Sequence, residues 1–263
     1  MTALLTSDAE LWELRAQLLT TPWRHIVVLT GAGISVASGL PTYRGPGGLW
    51  TQPGMEELPD AAMLTREPSR IWALLGSLRT HVRAASANPA HLALAAWEAR
   101  CQEGQFFTLL TQNVDGLHRR AGSRNVIELH GNLLRTRCTN PACALPPFED
   151  SAEYPQVPLC TACGAPLRLD ITLFDEPLPV DAEWAAKKAL RECELFLAVG
   201  TSGTVSPASN FVRSAKYAGA KTILVNLTPM QPRHPDFDIE VLGHAEHILP
   251  LLIGDGERCA LDE

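Results

Sequence analysis

Cys138 and Cys143 are separated by four residues, and Cys160 and Cys163 by two. Both spacings suit a chelating turn, and the two pairs are near enough in sequence to share one tetrahedral zinc ion. Four thiolates leave no open coordination position, so the metal expected there is structural rather than catalytic. The segment between the pairs is rich in proline and acidic residues and lacks a regular apolar pattern. Such a segment cannot build a core, and a metal ion would organise it. The other cysteines, Cys101, Cys193 and Cys259, fall in or near regular structure or in the tail, and read as unpaired thiols.

A second chemistry is suggested by small residues at strand ends. Residues 25–29 form an apolar, β-branched run that Thr30-Gly31-Ala32-Gly33 breaks. Small residues at such a turn let backbone N–H groups approach a phosphate, and residues 34–38 can begin a helix whose positive end faces it. The alternative is a tight turn without a ligand. The pattern is not a regular GxGxxG, because Val36 stands at the third glycine position and Gly39 follows late. No clear strand ends in an acid about 20 residues on, where a standard dinucleotide fold grips the ribose. Directly beyond the turn, Pro41-Thr42-Tyr43-Arg44-Gly45 places an aromatic and an arginine in a loop. A second turn of the same kind, Gly200-Thr201-Ser202-Gly203, follows the apolar run 195–199.

The polar candidates also sit at strand ends. The run 105–111 leads into Gln112-Asn113-Val114-Asp115. These are ligand-binding groups at the C-terminal edge of an open sheet, or caps of the next helix, or both. Residues 125–129 deliver His130-Gly131. A histidine there is a general acid or base, since its ordinary pKa is near neutrality, or else a structural residue. His81 and His91, on helical segments, read as surface or packing residues.

The elements that must position these groups follow from periodicity. Helices are predicted over 7–20, with Ser7 or Asp8 as N-cap, and over 68–87, 90–100, 181–193 and 207–218. Strands are predicted over 25–29, 105–111, 125–129, 169–174, 195–199 and 221–225, the last ending in Asn226. Residues 241–252 close the fold, and 45–60 form a long loop rich in glycine and proline. Strands alternating with helices imply an α/β protein with a largely parallel, doubly wound sheet. The 263 residues suffice for one domain with a small second lobe. The net charge of −7 shows no basic excess, which argues against a nucleic-acid partner. No apolar run approaches the ~20 residues of a membrane helix, and the first residues lack a signal-peptide pattern. A cytoplasmic protein without a membrane partner is expected.

Taken together the motifs resemble the sirtuins, the NAD-dependent protein deacylases. The resemblance is carried by Gly31-Ala32-Gly33-Ile34-Ser35 with Ser38-Gly39, Pro41 and Tyr43-Arg44-Gly45. It continues in Thr111-Gln112-Asn113-Val114-Asp115 with Leu117-His118, and in Leu129-His130-Gly131. The four cysteines follow, and then Gly200-Thr201-Ser202 with Val205 and Pro207-Ala208. These occur in the family's order from Val27 to Pro250. The resemblance implies a Rossmann-like large lobe (1–46, 89–136 and 169–263). It also implies a small lobe made of a helical insertion (47–88) and a zinc module (137–168). NAD would lie between them, with Gly31, Ala32, Gly33 and Ser35 at phosphate, and Tyr43 and Arg44 at the nicotinamide side. Gln112, Asn113 and Asp115 would hold the ribose and nicotinamide pocket. Gly200, Thr201, Ser202 and Asn226 would contact the adenosine half, and Ala245 would face the adenine. In the implied reaction NAD offers an electrophilic ribose carbon to the acyl-lysine carbonyl oxygen. His130 is then general base on the ribose hydroxyl, and Asn113 orients ribose and water. The products are nicotinamide, free lysine and O-acyl-ADP-ribose. A peptide substrate would add as a strand near residues 174–176.

The chain departs from the family pattern in three places. Asp175 replaces the usual Gly of Phe-Gly-Glu, and Tyr43 replaces a more usual Phe. Residues 67–72 and the loop ending Gly48-Leu49-Trp50 resemble the branch that includes desuccinylases, which carries a Tyr and an Arg for the acyl carboxylate. Those positions hold Leu75 and Leu78 here, which implies an apolar pocket floor and neutral acyl groups; Arg79, one place on, would point to a different face. Rival readings are a sirtuin-like ADP-ribosyltransferase, a non-catalytic NAD sensor and a plain zinc-ribbon module.

Overall fold

The computed structural model describes residues 2–5, 7–43, 48, 59–150 and 152–254. Among these the chain runs through β1 (Ala3–Leu5), α1 (Asp8–Thr20) and β2 (His25–Thr30), then α2 (Met63–Arg66), α3 (Pro68–Ala84) and α4 (Pro89–Arg100). Next come β3 (Phe106–Thr111), α5 (Leu117–Arg120), β4 (Val126–Glu128), β5 (Gly131–Cys138), β6 (Phe148–Glu149) and β7 (Leu167–Ile171). The last third holds α6 (Val180–Arg191), β8 (Leu195–Val199), α7 (Phe211–Tyr217), β9 (Lys221–Asn226), β10 (Ile239–Leu242) and α8 (Ala245–Ile253). Among the described residues no helix is long and apolar enough to cross a membrane.

Seven strands form one parallel sheet in the order β1-β10-β9-β8-β2-β3-β4. From β2 the chain winds outward through β3 and β4; from β8 it winds the other way through β9 and β10. The winding therefore reverses between β2 and β8, and a crevice opens beyond their C-terminal ends. The apolar runs are continuous because both faces are covered. Along β2, Ile26 and Val28 pack into one core with α1, α4 and α8, while Val27 and Leu29 pack into another with α6 and α7. A third core joins α3 (Ile71, Leu75, Leu78) to a separate antiparallel sheet, β6-β5-β7 (Leu133, Leu169, Ile171).

Several boundaries differ from the sequence expectation, each for a local reason. Ser7 is the N-cap of α1, because it and Glu10 close a reciprocal capping box. The turn after β2 is a 3₁₀ helix, Ala32–Ser38, ended by left-handed Gly39 (φ 82). The helix expected over 68–87 ends at Ala84, and Asn88 caps α4. Its amide also donates to Ile34 O (2.8 Å) and Ser38 Oγ (3.0 Å), tying helix to turn. The strand expected over 169–174 is β7, which is shifted to 167–171 and pairs antiparallel with β5 outside the parallel sheet. The helix expected over 207–218 is a 3₁₀ turn, Ala208–Asn210, followed by α7.

Candidate active site and zinc centre

The crevice at the reversal point is a cleft of about 1210 Å³. Two turns meet at its floor. Gly31 N–H donates to Val199 O (3.0 Å), Gly33 N–H to Gly200 O (2.9 Å), and Gly200 N–H to Val225 O (3.0 Å). A Cβ on Gly31 would lie 2.7 Å from Gly200 O, and one on Gly33 2.7 Å from Gly200 Cα. Gly200 itself is left-handed (φ 60). The glycines are thus required by the approach of two backbones. The N–H groups of Gly31 and Gly33 are both committed to carbonyls. The N–H groups of Ala32, Thr201 and Ser202 have no acceptor among the described residues and remain available at this floor.

The polar run after β3 forms the wall. Gln112 Nε2 donates to Thr201 Oγ1 (3.0 Å), bridging the two sides. Asn113 Nδ2 donates to Gly31 O (3.1 Å) and to Ser35 Oγ (3.2 Å). The carbonyl partner fixes which end of the amide is nitrogen. Asn113 Oδ1 is left buried and without a partner. Ser35 and Asp115, expected at the ligand, sit one layer back, 2% and 5% exposed. Ser35 Oγ donates to Asp115 Oδ2 (2.7 Å), and Leu117 N–H donates to Asp115 Oδ1 (2.9 Å). Burial pushes the Asp115 carboxyl above its ordinary value against those hydrogen bonds. Tyr43 lines the cleft, and burial followed by the charge of Asp115 pushes its phenol up. Arg44 lies outside the described residues.

His130 lies in the turn between β4 and β5 and lines the same cleft. Its Nδ1 is 2.8 Å from Gln112 O. A carbonyl only accepts, so Nδ1 carries the proton and Nε2 keeps its lone pair. Burial pushes the imidazole pKa below the ordinary value, opposed by the Gln112 carbonyl, so the ring is a neutral base near neutral pH. Ser202, Asn226 and Ala245 complete the far side; Asn226 Nδ2 donates to Thr201 O (3.3 Å), and Ala245 opens α8.

Behind the cleft wall lie two histidines to which the sequence assigned no role in the site. His91 is fully buried behind Ser35, with Nε2 3.5 Å from its Oγ, whereas His81 is exposed. His118 packs 4.8 Å from His91, and its Nε2 is 2.9 Å from Thr30 Oγ1, which donates to Thr111 Oγ1. The His118 signal was its place in the Leu117-His118 motif; nothing in the sequence distinguished His91 from a packing residue. Leu75 and Leu78 face the cleft. Arg79 does not: it pairs with Asp150 at 3.3 Å, both side chains 6% exposed, beside a separate depression of about 270 Å³.

Near the other end of β5, the ligand atoms of Cys138, Cys143, Cys160 and Cys163 lie within 4.8 Å of one another. Cys138 and Cys163 sulfurs are 3.5 Å apart, Cys143 and Cys160 sulfurs 3.8 Å. Tetrahedral zinc at ~2.3 Å from each sulfur requires edges of about 3.8 Å. The four cysteines therefore form a closed zinc site away from the cleft. Cys101 and Cys193 are free thiols, and burial pushes Cys193 up to about 12; Cys259 lies outside the described residues.

Comparison with known proteins agrees with this architecture. The sequence profile of the Sir2 family matches residues 31–207. NAD-dependent protein deacylase 2 of Pyrobaculum aerophilum is 42% identical over 235 residues, which cover 89% of this chain and 92% of the relative. The crystal structure of a Sir2 homologue in complex with NAD superposes with a TM-score of 0.82 at 33% identity, covering 96% of this chain and 94% of the other. A Sir2 complex with a p53 peptide and NAD+ superposes with a TM-score of 0.76 at 28% identity, covering 93% and 96%. With the motifs in order, the reversal-point cleft and the zinc cysteines in place, the chain belongs to the Sir2 family.

Proposed function

We propose that this protein removes neutral acyl groups, acetyl among them, from lysine side chains of protein substrates and consumes NAD as co-substrate. The observation that carries the reading is the geometry of His130. Its Nδ1 proton is held by Gln112 O, which leaves Nε2 basic, and His130 lines the cleft that also holds Asn113 and the two glycine turns. The Pyrobaculum relative is named for this activity, and solved Sir2 neighbours hold NAD and a peptide.

NAD, when bound, would supply an electrophilic ribose carbon and accept the acyl group with one water consumed, so that nicotinamide, lysine and O-acyl-ADP-ribose leave. The cleft residues fit it. The orphaned Asn113 Oδ1 is an acceptor for a ribose hydroxyl. The available N–H groups of Ala32, Thr201 and Ser202 suit phosphate oxygens, with Gly31, Gly33 and Gly200 permitting the approach. Asn226 and Ala245 border the adenosine end. Tyr43 and Gln112 form the nicotinamide side. Ser35 and Asp115 hold Asn113 in its rotamer. His130 takes the ribose hydroxyl proton at Nε2, a role worth ~10²–10⁴ in rate. Zinc holds the small lobe together and takes no part in the chemistry. The two lobes divide as 1–46, 89–136 and 169–263 against 47–88 and 137–168. Thiols disposed for zinc rather than disulfides suit the cytoplasm.

Leu75 and Leu78 give the acyl group an apolar floor. Arg79 is held by Asp150, so it does not serve a carboxylate in the cleft. A buried carboxylate without a partner is costly, so acetyl or longer aliphatic chains should leave faster than succinyl. The test is mass spectrometry of one peptide carrying acetyl-, butyryl- or succinyl-lysine, incubated with NAD and wild type or His130→Ala. Loss of the neutral acyl groups with O-acyl-ADP-ribose formed, and its near abolition in the variant while NAD still binds, is expected. ADP-ribose attached to protein with no acyl loss would overturn the reading in favour of a transferase. Succinyl leaving faster than acetyl would overturn the assignment of the pocket floor.

A further inference from the structure

Asp175 is the one non-glycine residue with positive φ (63°) among the described residues. Left-handed backbone disfavours a side chain, and glycine would meet the need with less strain. The conformation alone therefore does not account for an aspartate, and a strained residue at a cleft rim points to a role for its side chain. Its neighbours hold it firmly. Phe174 N–H donates to Pro59 O (3.1 Å), and Phe174 O accepts from Ala61 N–H (2.9 Å). Glu176 N–H donates to Leu173 O, and the Glu176 carboxylate accepts two hydrogen bonds from Arg168 (2.6 and 2.8 Å). Because the main chain of Phe174 is already paired, peptide pairing expected from residue 174 has its first uncommitted main-chain groups at Asp175.

The charge at the rim is one-sided. Asp175, Glu176, Glu183 and Glu246 line the cleft, and among its described lining residues there is no lysine or arginine. Glu176 has Arg168, Glu183 has Lys187 at 2.6 Å, and Glu246 has His244 at 3.4 Å. Asp175 is exposed and has no hydrogen bond or ion pair among the described residues. An anchored carboxylate at the mouth of a cleft, without a partner among the described residues, is complementary to a cation on whatever enters it.

We propose that Asp175 determines substrate specificity by selecting peptides that carry lysine or arginine next to the acyl-lysine. The inference rests on the deacylase reading and adds the class of peptide. The experiment uses three peptides with one central acetyl-lysine flanked by arginine, alanine or glutamate. Two readouts are taken for wild type, Asp175→Asn and Asp175→Gly: kcat/KM with NAD, and Kd by fluorescence anisotropy without NAD. Each is measured at low and high salt. Wild type should favour the arginine-flanked over the glutamate-flanked peptide by about fivefold at low salt, the upper end for one exposed ion pair, and less at high salt. In Asp175→Asn, which keeps shape and tolerates positive φ, the ratio should fall toward one, and likewise in Asp175→Gly. An unchanged ratio in Asp175→Asn, or no preference in wild type, overturns the proposal. Ordered binding without turnover of any peptide would instead overturn the deacylase reading and leave the selectivity standing.

Discussion

Gly33→Ala should be among the most damaging single-methyl changes in the cleft floor. The added Cβ would lie 2.7 Å from Gly200 Cα, 2.9 Å from its O and 3.1 Å from its C. Ordinary contact begins at 3.4 Å, so the two turns would have to part by about 0.7 Å. Neither can yield cheaply. Gly200 is held by its N–H on Val225 O (3.0 Å) and by its carbonyl on Gly33 N–H (2.9 Å), and Gly31 is held on Val199 O. Overpacking of this kind costs about 1–3 kcal/mol, and stretching the Gly33–Gly200 hydrogen bond adds about 1 kcal/mol. A loss of about 2–4 kcal/mol lowers Tm by roughly 5–15 °C for a chain of this size. Gly76 is the matched control. It lies inside α3, and a Cβ there meets nothing within 4 Å. Gly76→Ala should therefore gain about 0.5–1 kcal/mol from reduced chain entropy. Circular-dichroism melts of both variants, with NAD titration by calorimetry, read the result. Gly33→Ala melting with wild type and binding NAD equally, or Gly76→Ala falling as far, would refute the close-approach argument.

His91 is fully buried, and burial followed by the Arg120 charge lowers its pKa to about 4, with His118 also held well below the ordinary value by burial. The unfolded chain then binds more protons below pH ~6.5, so stability should fall as pH drops through that value toward about 4, by about 3 kcal/mol from His91 alone. Urea unfolding at stepped pH measures this, and a flat stability between pH 6.5 and 4.5 would contradict it. Cys160→Ala should lose bound zinc and thermal stability together; elemental analysis showing full zinc with an unchanged Tm would sink the closed-site assignment. Arg168→Ala leaves the half-buried Glu176 without its bidentate partner, a loss of about 1–3 kcal/mol, read as a fall in denaturant midpoint. Leu75→Tyr with Leu78→Arg should shift the succinyl-to-acetyl ratio of kcat/KM upward, and an unchanged ratio would remove these two residues from the acyl pocket.

Much of this protein is determined locally and is legible in the sequence. Continuous apolar runs at 25–29 and 195–199, each ending in a glycine turn, read as strands covered on both faces, and in alternation with helices they imply a doubly wound parallel sheet. Cysteine spacing fixes the zinc ligands because a chelating turn is a short-range object. Ser7 with Glu10 marks a helix start because a capping box spans one turn. What only the tertiary structure decided involves partners distant in sequence. That Gly31 and Gly33 must be glycine follows from residues some 170 positions away: Val199 O and Gly200 O accept their N–H groups, and Gly200 leaves no room for a Cβ. Ser35 and Asp115 look like ligand groups until the fold buries them behind Asn113. Residues 169–174 carry strand-forming side chains, but whether they join the parallel sheet or pair with β5 depends on a register that side-chain pattern does not encode. Asp175 is an ordinary loop residue in sequence; its left-handed backbone follows from anchors at Pro59, Ala61 and Arg168. Arg79 and Leu78 are adjacent in sequence, and the roughly 100° turn between neighbouring helix positions sends one to Asp150 and the other to the cleft.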